Sequence, residues 1–67
     1  MEKVVLTKKK DKAYRIYKTG NTYIVSIDKG GIWNYNWSKI AETKNLEDAY
    51  AIIRSHSGSE IREIIDK

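Results

Sequence analysis

Apolar and polar residues alternate along most of the first two thirds of the chain, which is the period of an antiparallel sheet. Short runs rich in β-branched and aromatic residues at 4–7, Ala13–Thr19 and Thr22–Asp28 predict three strands. A lysine-rich segment at 8–12 separates the first run from the second and predicts a charged turn. The pattern therefore indicates a meander of consecutive strands.

Gly20 and Asn21 separate the second and third runs and form a two-residue loop typical of β-hairpins. Such a loop fixes the register, so we expect Ile16 to lie opposite Val25. One face of the hairpin then carries the better core candidates, which are Tyr14, Ile16, Tyr23, Val25 and Ile27. The opposite face carries Arg15, Tyr17, Ile24 and Ser26.

Trp33, Tyr35 and Trp37 alternate with polar residues, so their rings share one face if they lie on a single strand. The glycine-containing turn before them decides which face, because a one-residue slip exchanges the two faces of a strand. A three-residue loop places Ile27 opposite Trp33 and puts the rings in the core. A two-residue loop at the paired glycines instead puts them on the opposite face, as a surface for stacking. Burial favours the first register, since the second would bury two asparagines.

The apolar period changes after Asn45, which is a suitable helix N-cap. The residues that follow at i, i+3, i+4 and i+7 predict an amphipathic helix with a stripe of Leu46, Ala49, Tyr50 and Ile53. Gly58 is a suitable C-terminal stop. Beyond it, isoleucines at 61, 64 and 65 repeat the helical spacing and predict a second, short helical segment.

These elements predict an α+β fold with one domain spanning residues 1–67. The expected architecture is an antiparallel meander sheet of three to four strands, followed by one amphipathic helix packed on one face. A short C-terminal helical segment completes it. An antiparallel sheet tolerates a second face without a covering layer.

Catalytic chemistry is poorly provided for in this sequence. The chain has no cysteine and one histidine, His56, which leaves too few ligands for an ordinary structural zinc site. No nucleophile elbow, phosphate loop or metalloprotease motif is present. Glu47 and Asp48 are explained by the start of the helix, whose dipole favours anions. We therefore expect a non-enzymatic protein with no metal and no cofactor.

The first twenty residues carry seven basic and two acidic groups, a net charge of +5, whereas the remainder carries six basic and seven acidic groups. This asymmetry suggests a polyanionic partner. The candidate nucleic-acid-binding residues are Lys8, Lys9, Lys10, Lys12, Arg15, Tyr17 and Lys18. Bases would stack on Trp33, Tyr35 and Trp37 only if those rings are exposed to solvent.

These patterns suggest two kinds of partner, single-stranded nucleic acid or another protein. Nucleic acid is favoured by the basic N-terminal third, although the lysine run taken by itself is more typical of a solvated turn. The alternative is a protein-interaction or homo-oligomeric accessory module. No apolar run approaches the length of a membrane span, so we expect a cytoplasmic protein, monomeric or weakly homo-oligomeric, with no membrane contact.

Overall fold

The computed structural model describes residues 1–9, 13–30 and 36–67. Within them an antiparallel sheet is accompanied by one helix, which confirms the α+β class. The elements in chain order are β1 (Glu2–Thr7), β2 (Ala13–Thr19), β3 (Thr22–Asp28), β4 (Trp37–Thr43), α1 (Leu46–Ser57) and β5 (Ile61–Asp66). The strands lie side by side in the order β4-β3-β2-β1-β5, so β1 to β4 form the meander and β5 joins at the β1 side.

The β2–β3 hairpin has the register that its two-residue loop predicts. Ile16 lies opposite Val25, and Gly20 has a φ of 60°, a left-handed conformation that glycine adopts without steric cost. The inner face of the sheet, defined here as the face that α1 covers, carries the predicted core set. Tyr14, Ile16 and Val25 are completely buried on it. Arg15 and Tyr17 lie on the opposite side, which we call the outer face.

The pairing of β3 with β4 differs from both registers that the sequence suggests. Trp37 is the first residue of β4 and lies opposite Asp28, on the outer face, so the favoured prediction that this ring joins the core is wrong. The connection is longer than a two- or three-residue loop. Its ends are joined by the Asp28 carboxylate, which accepts from the Gly30 and Asn36 amides at 2.8 and 3.0 Å. Trp33 and Tyr35 lie outside the described residues.

The C-terminal segment is a strand, so the predicted second helical segment is wrong. β5 pairs antiparallel with β1, with Val4 opposite Ile65 and Val5 opposite Ile64. The isoleucine spacing fits a helical turn, but six residues are too few for a stable isolated helix. β-Branched side chains favour the extended conformation, and the backbone groups of β1 provide hydrogen-bond partners for it. The sheet consequently has one strand more than the prediction allowed.

Helix α1 crosses the inner face on its way from β4 to β5. Its start is capped by Asn45, whose side-chain oxygen accepts from the Asp48 amide at 2.8 Å. Its end is set by Gly58, which is left-handed and whose amide donates to the Arg54 carbonyl at 2.9 Å. Both caps are those that the sequence predicts.

The hydrophobic core lies between α1 and the middle of the inner face. Ala49 and Ile53 from the helix are completely buried there against β-strand side chains. Leu46 and Tyr50, the other two members of the predicted stripe, pack at its margin. The core is therefore a single layer of side chains, and α1 is its cover among the described elements.

Candidate interaction surface on the outer face

The outer face carries an arginine placed between two aromatic rings. Arg15 projects from β2, two residues before Tyr17 on the same strand, and its guanidinium carbon is 6.0 Å from the centre of the Tyr17 ring. The same carbon is 5.0 Å from the centre of the Trp37 ring on β4. Ser26 on β3 lies directly opposite Arg15 and is 4% exposed. This small residue lets the arginine reach across one strand to the tryptophan.

These three residues, Arg15, Tyr17 and Trp37, form what we call the Arg–aromatic cluster. Both ring contacts are within the range of cation–π attraction. Tyr17 is 46% exposed, whereas the Arg15 side chain is 30% exposed. The cluster therefore combines a guanidinium that is positioned by ring contacts with the accessible ring of Tyr17.

The hydrogen-bond donors of Arg15 are not all satisfied within the described part of the chain. Its Nε atom is buried and has no hydrogen-bond partner there. Its terminal nitrogen Nη1 lies 3.7 Å from a Glu2 carboxylate oxygen, a long ion pair that leaves hydrogen-bonding capacity on the guanidinium. Because the Arg15 side chain is 30% exposed while Nε is buried, the terminal nitrogens are the atoms that can donate to an additional acceptor.

Carboxylates share the outer face with the Arg–aromatic cluster. Glu2, Glu42 and Glu63 occupy outer-face positions by strand alternation from their pairing partners. The basic residues Lys39 and Lys67 are also on this face, but the Lys39 ammonium donates to the Glu42 carboxylate at 2.9 Å. This hydrogen bond, and then the positive charge of Lys39, lower the pKa of Glu42 below its ordinary value. The outer face is consequently not a basic surface.

The structure separates the residues that the sequence grouped as one basic interface. Arg15 and Tyr17 are brought together, but Lys18 lies on the inner face, where its ammonium is 5.6 Å from the centre of the Tyr23 ring. The expectation that it continues one surface with Arg15 is therefore wrong, because adjacent residues of a strand point to opposite faces. Lys3, also on the inner side, is ion-paired with Asp66, and that hydrogen bond raises the pKa of the lysine.

Lys8 and Lys9, which follow β1, lie apart from both Lys18 and the Arg–aromatic cluster. The Lys8 amide donates to the Glu60 carbonyl at 2.9 Å, and the Lys9 amide donates to Ser59 Oγ at 3.1 Å. These bonds tie the segment to the start of β5 rather than to the Arg–aromatic cluster. Lys10 and Lys12 lie outside the described residues.

A cleft of about 650 Å³ opens between β3, β4 and the end of α1. Its lining includes Lys29 from the connection after β3, Lys39 of β4 and His56 of α1. The His56 Nδ1 atom is hydrogen-bonded to the hydroxyl of the buried Tyr14 at 2.9 Å, with the two rings nearly perpendicular at 82°. The sequence does not predict this contact, since no local pattern links positions 14 and 56.

Among residues 1–9, 13–30 and 36–67, no group of three potential metal ligands lies close enough together to hold an ion. The described helix is too short and too polar to cross a membrane. No protein-family model matches the chain, and neither a curated protein nor a solved structure shows significant similarity to it. The geometry of the outer face is therefore the basis on which a function can be inferred.

Proposed function

We propose that the chain is a non-enzymatic protein-interaction module that uses the Arg–aromatic cluster of its outer face. The observation that carries this proposal is the guanidinium of Arg15 at 5.0 Å from Trp37 and 6.0 Å from Tyr17, on the face opposite the helix. Arginine, tryptophan and tyrosine are the residues that most often dominate binding energy at protein interfaces. A cytoplasmic location and a monomeric or weakly self-associating state complete the proposal.

The partner chemistry is determined by what each member of the cluster offers. A guanidinium binds a carboxylate through two parallel hydrogen bonds, and its ring contacts restrict its orientation before binding. The exposed Tyr17 ring, beside the half-buried Ile24 that faces it across the hairpin, offers apolar area. We therefore infer a partner segment that presents one carboxylate next to an apolar side chain.

Single-stranded nucleic acid is the second candidate, supported by the net charge of +5 in the first twenty residues and by the accessible Tyr17 ring. A phosphate and a base would occupy the positions of the carboxylate and the apolar side chain. The glutamates on the outer face weigh against this candidate, because a nucleic-acid backbone brings several phosphates close to them. The separation of Lys8, Lys9 and Lys18 from the cluster weighs against it as well.

Selection of random peptides displayed on phage against the immobilised protein tests the proposal. Recovered peptides should share an acidic residue next to an apolar one and should bind the protein in solution. Replacing Arg15 by Gln should weaken that binding about tenfold or more, the loss expected for an interface anchor. The matched control is Lys39→Gln, which removes one positive charge from the same face and should change affinity less than about threefold.

A parallel titration with an oligothymidine at two salt concentrations distinguishes the second candidate. Oligonucleotide binding that falls steeply with salt and requires Arg15, together with peptides that bind Arg15→Gln as well as the unmodified protein, would reject the protein-partner proposal. Oligonucleotide binding that is weak and unaffected by Arg15→Gln is the result we expect.

A further inference from the structure

The edge of the sheet at β5 carries exposed apolar residues. Ile64 is 40% exposed and Ile65 is 38% exposed. Within the described part of the chain, no strand pairs with the edge of β5 that points away from β1. An edge strand of this kind is a template for pairing with another strand, because its outward backbone groups lack partners. This edge is separate from the Arg–aromatic cluster, so an interaction through β5 does not depend on that cluster and specifies the weak self-association included in the proposed function.

The hydrogen-bond phase of β5 determines which backbone groups face outward. The Lys67 amide donates to the Glu2 carbonyl on β1 at 3.0 Å. In an antiparallel strand the N–H and C=O groups of one residue point to the same side, and successive residues alternate between the two sides. The backbone groups of residues 63 and 65 therefore also face β1, whereas those of residues 64 and 66 point away from β1. An antiparallel partner of the same sequence must therefore present its own residues 64 and 66 to this edge.

Only a few self-pairing registers satisfy this phase. A register centred on Glu63 places two carboxylates directly opposite each other, which is unfavourable. A register centred on Ile64 needs a regular strand through Arg62, but the β1–β5 register shifts at that residue. The side chain of Arg62 also lies 3.6 Å from the neighbouring Glu63 carboxylate, which is the arrangement of a bulge rather than a regular strand.

The register centred on Ile65 has neither fault. Ile65 then faces Ile65 of the second copy, and Glu63 faces Lys67 of the second copy, so two opposite-charge pairs flank one apolar pair. On its other side Ile65 is paired with Val4, which is 7% exposed. The apolar row therefore continues from β1 of one copy, across the junction, to β1 of the other.

We propose that two copies of this chain associate through antiparallel pairing of their β5 strands, with Ile65 on the two-fold axis. The result is one sheet that continues through both copies, with both helices on the same face. The outward backbone groups of residues 64 and 66 form the hydrogen bonds of the junction. Because few residues take part, the dimer is a weak one that forms at roughly 10 µM to 1 mM.

Disulfide trapping tests the register directly, since the natural sequence contains no cysteine. Ile65→Cys places two thiols at a non-hydrogen-bonded pair, where the Cα atoms are about 4.5 Å apart and a disulfide fits. Under mild oxidation this variant should form a covalent dimer roughly tenfold faster than Ala51→Cys, an exposed helix position that reports random collision. Equal rates for the two variants, or faster trapping through Ile64→Cys, would overturn the proposal.

A charge exchange tests the same dimer without cysteine. Glu63→Lys places two lysines opposite each other at each end of the junction and should weaken self-association roughly five- to tenfold in sedimentation velocity. Adding Lys67→Glu should restore it, while Glu47→Lys, an equal charge change on the exposed side of α1, should leave it unchanged. Failure of the second change to restore association, with all variants folded by circular dichroism, would refute the register.

Discussion

Truncation of Ile53 is the sharpest test of the core, because α1 contributes only two completely buried residues to it. We expect Ile53→Ala to lower the free energy of unfolding by about 3 to 4 kcal/mol, the usual cost of removing a buried aliphatic side chain and leaving a cavity. A domain of this size has a total stability of roughly 3 to 10 kcal/mol. Ile53→Ala therefore removes a large part of the total stability.

The matched control is Ile65→Ala, which removes the same atoms from a side chain that is 38% exposed on β5 instead of completely buried. Its expected cost is below about 1.5 kcal/mol, because it leaves no enclosed cavity. The intermediate variant Ile53→Val should cost about 1 kcal/mol. The three variants thus form a series in which burial, rather than residue type, sets the loss.

Urea denaturation followed by circular dichroism measures the series, at low protein concentration so that self-association does not contribute. Unfolding of a chain this short carries an entropy of about 0.14 kcal/mol/K, so each kcal/mol shifts Tm by roughly 7 °C. The Tm of Ile53→Ala should therefore be more than 20 °C below that of the unmodified protein, or the variant should be unfolded at room temperature. Losses for Ile53→Ala and Ile65→Ala that agree within about 0.5 kcal/mol would refute this assignment of the core.

Three further predictions concern the ends of α1 and one ion pair. Asn45→Ala should destabilise the protein by about 1 kcal/mol in thermal unfolding through loss of its bond to the Asp48 amide, while Asn45→Ser should recover most of that stability. Gly58→Ala should cost about 1 kcal/mol in the same assay, because its φ of 65° is unfavourable for alanine although nothing blocks the added methyl group. Stabilisation linked to the lowered pKa of Glu42 is present above its unfolded-state pKa and is lost as pH falls through the folded-state pKa. In an NMR titration that pKa should rise toward its ordinary value in Lys39→Gln, and an unchanged pKa would contradict the assigned cause.

Local signals were sufficient for the hairpin and the helix. The loop at Gly20 determined the register of β2 and β3 because only two residues connect them. Asn45 and Gly58 marked the helix ends because capping depends on the residues at the ends themselves. The two faces of β2 could be assigned from simple alternation, which is why Arg15 and Tyr17 were correctly placed together.

The errors arose where distant residues decide the structure. β5 forms because β1 offers a free edge, and no pattern within positions 61 to 66 reveals that edge. The position of β4 depends on a longer connection held by the Asp28 side chain, and on a register shift opposite Val25 and Ser26. The contact of Arg15 with Trp37 was missed for the same reason, because it needs the correct register of β3 and β4.

The pairing of β1 with β5 has a consequence for the order in which the structure assembles. It joins residues as far apart as Lys3 and Asp66, so its loop-closure entropy is the largest of any contact in the sheet. The hairpin of β2 and β3 closes over two residues and can form early. β5 should therefore dock late in folding, and its amides should exchange with solvent hydrogen before those of the central strands.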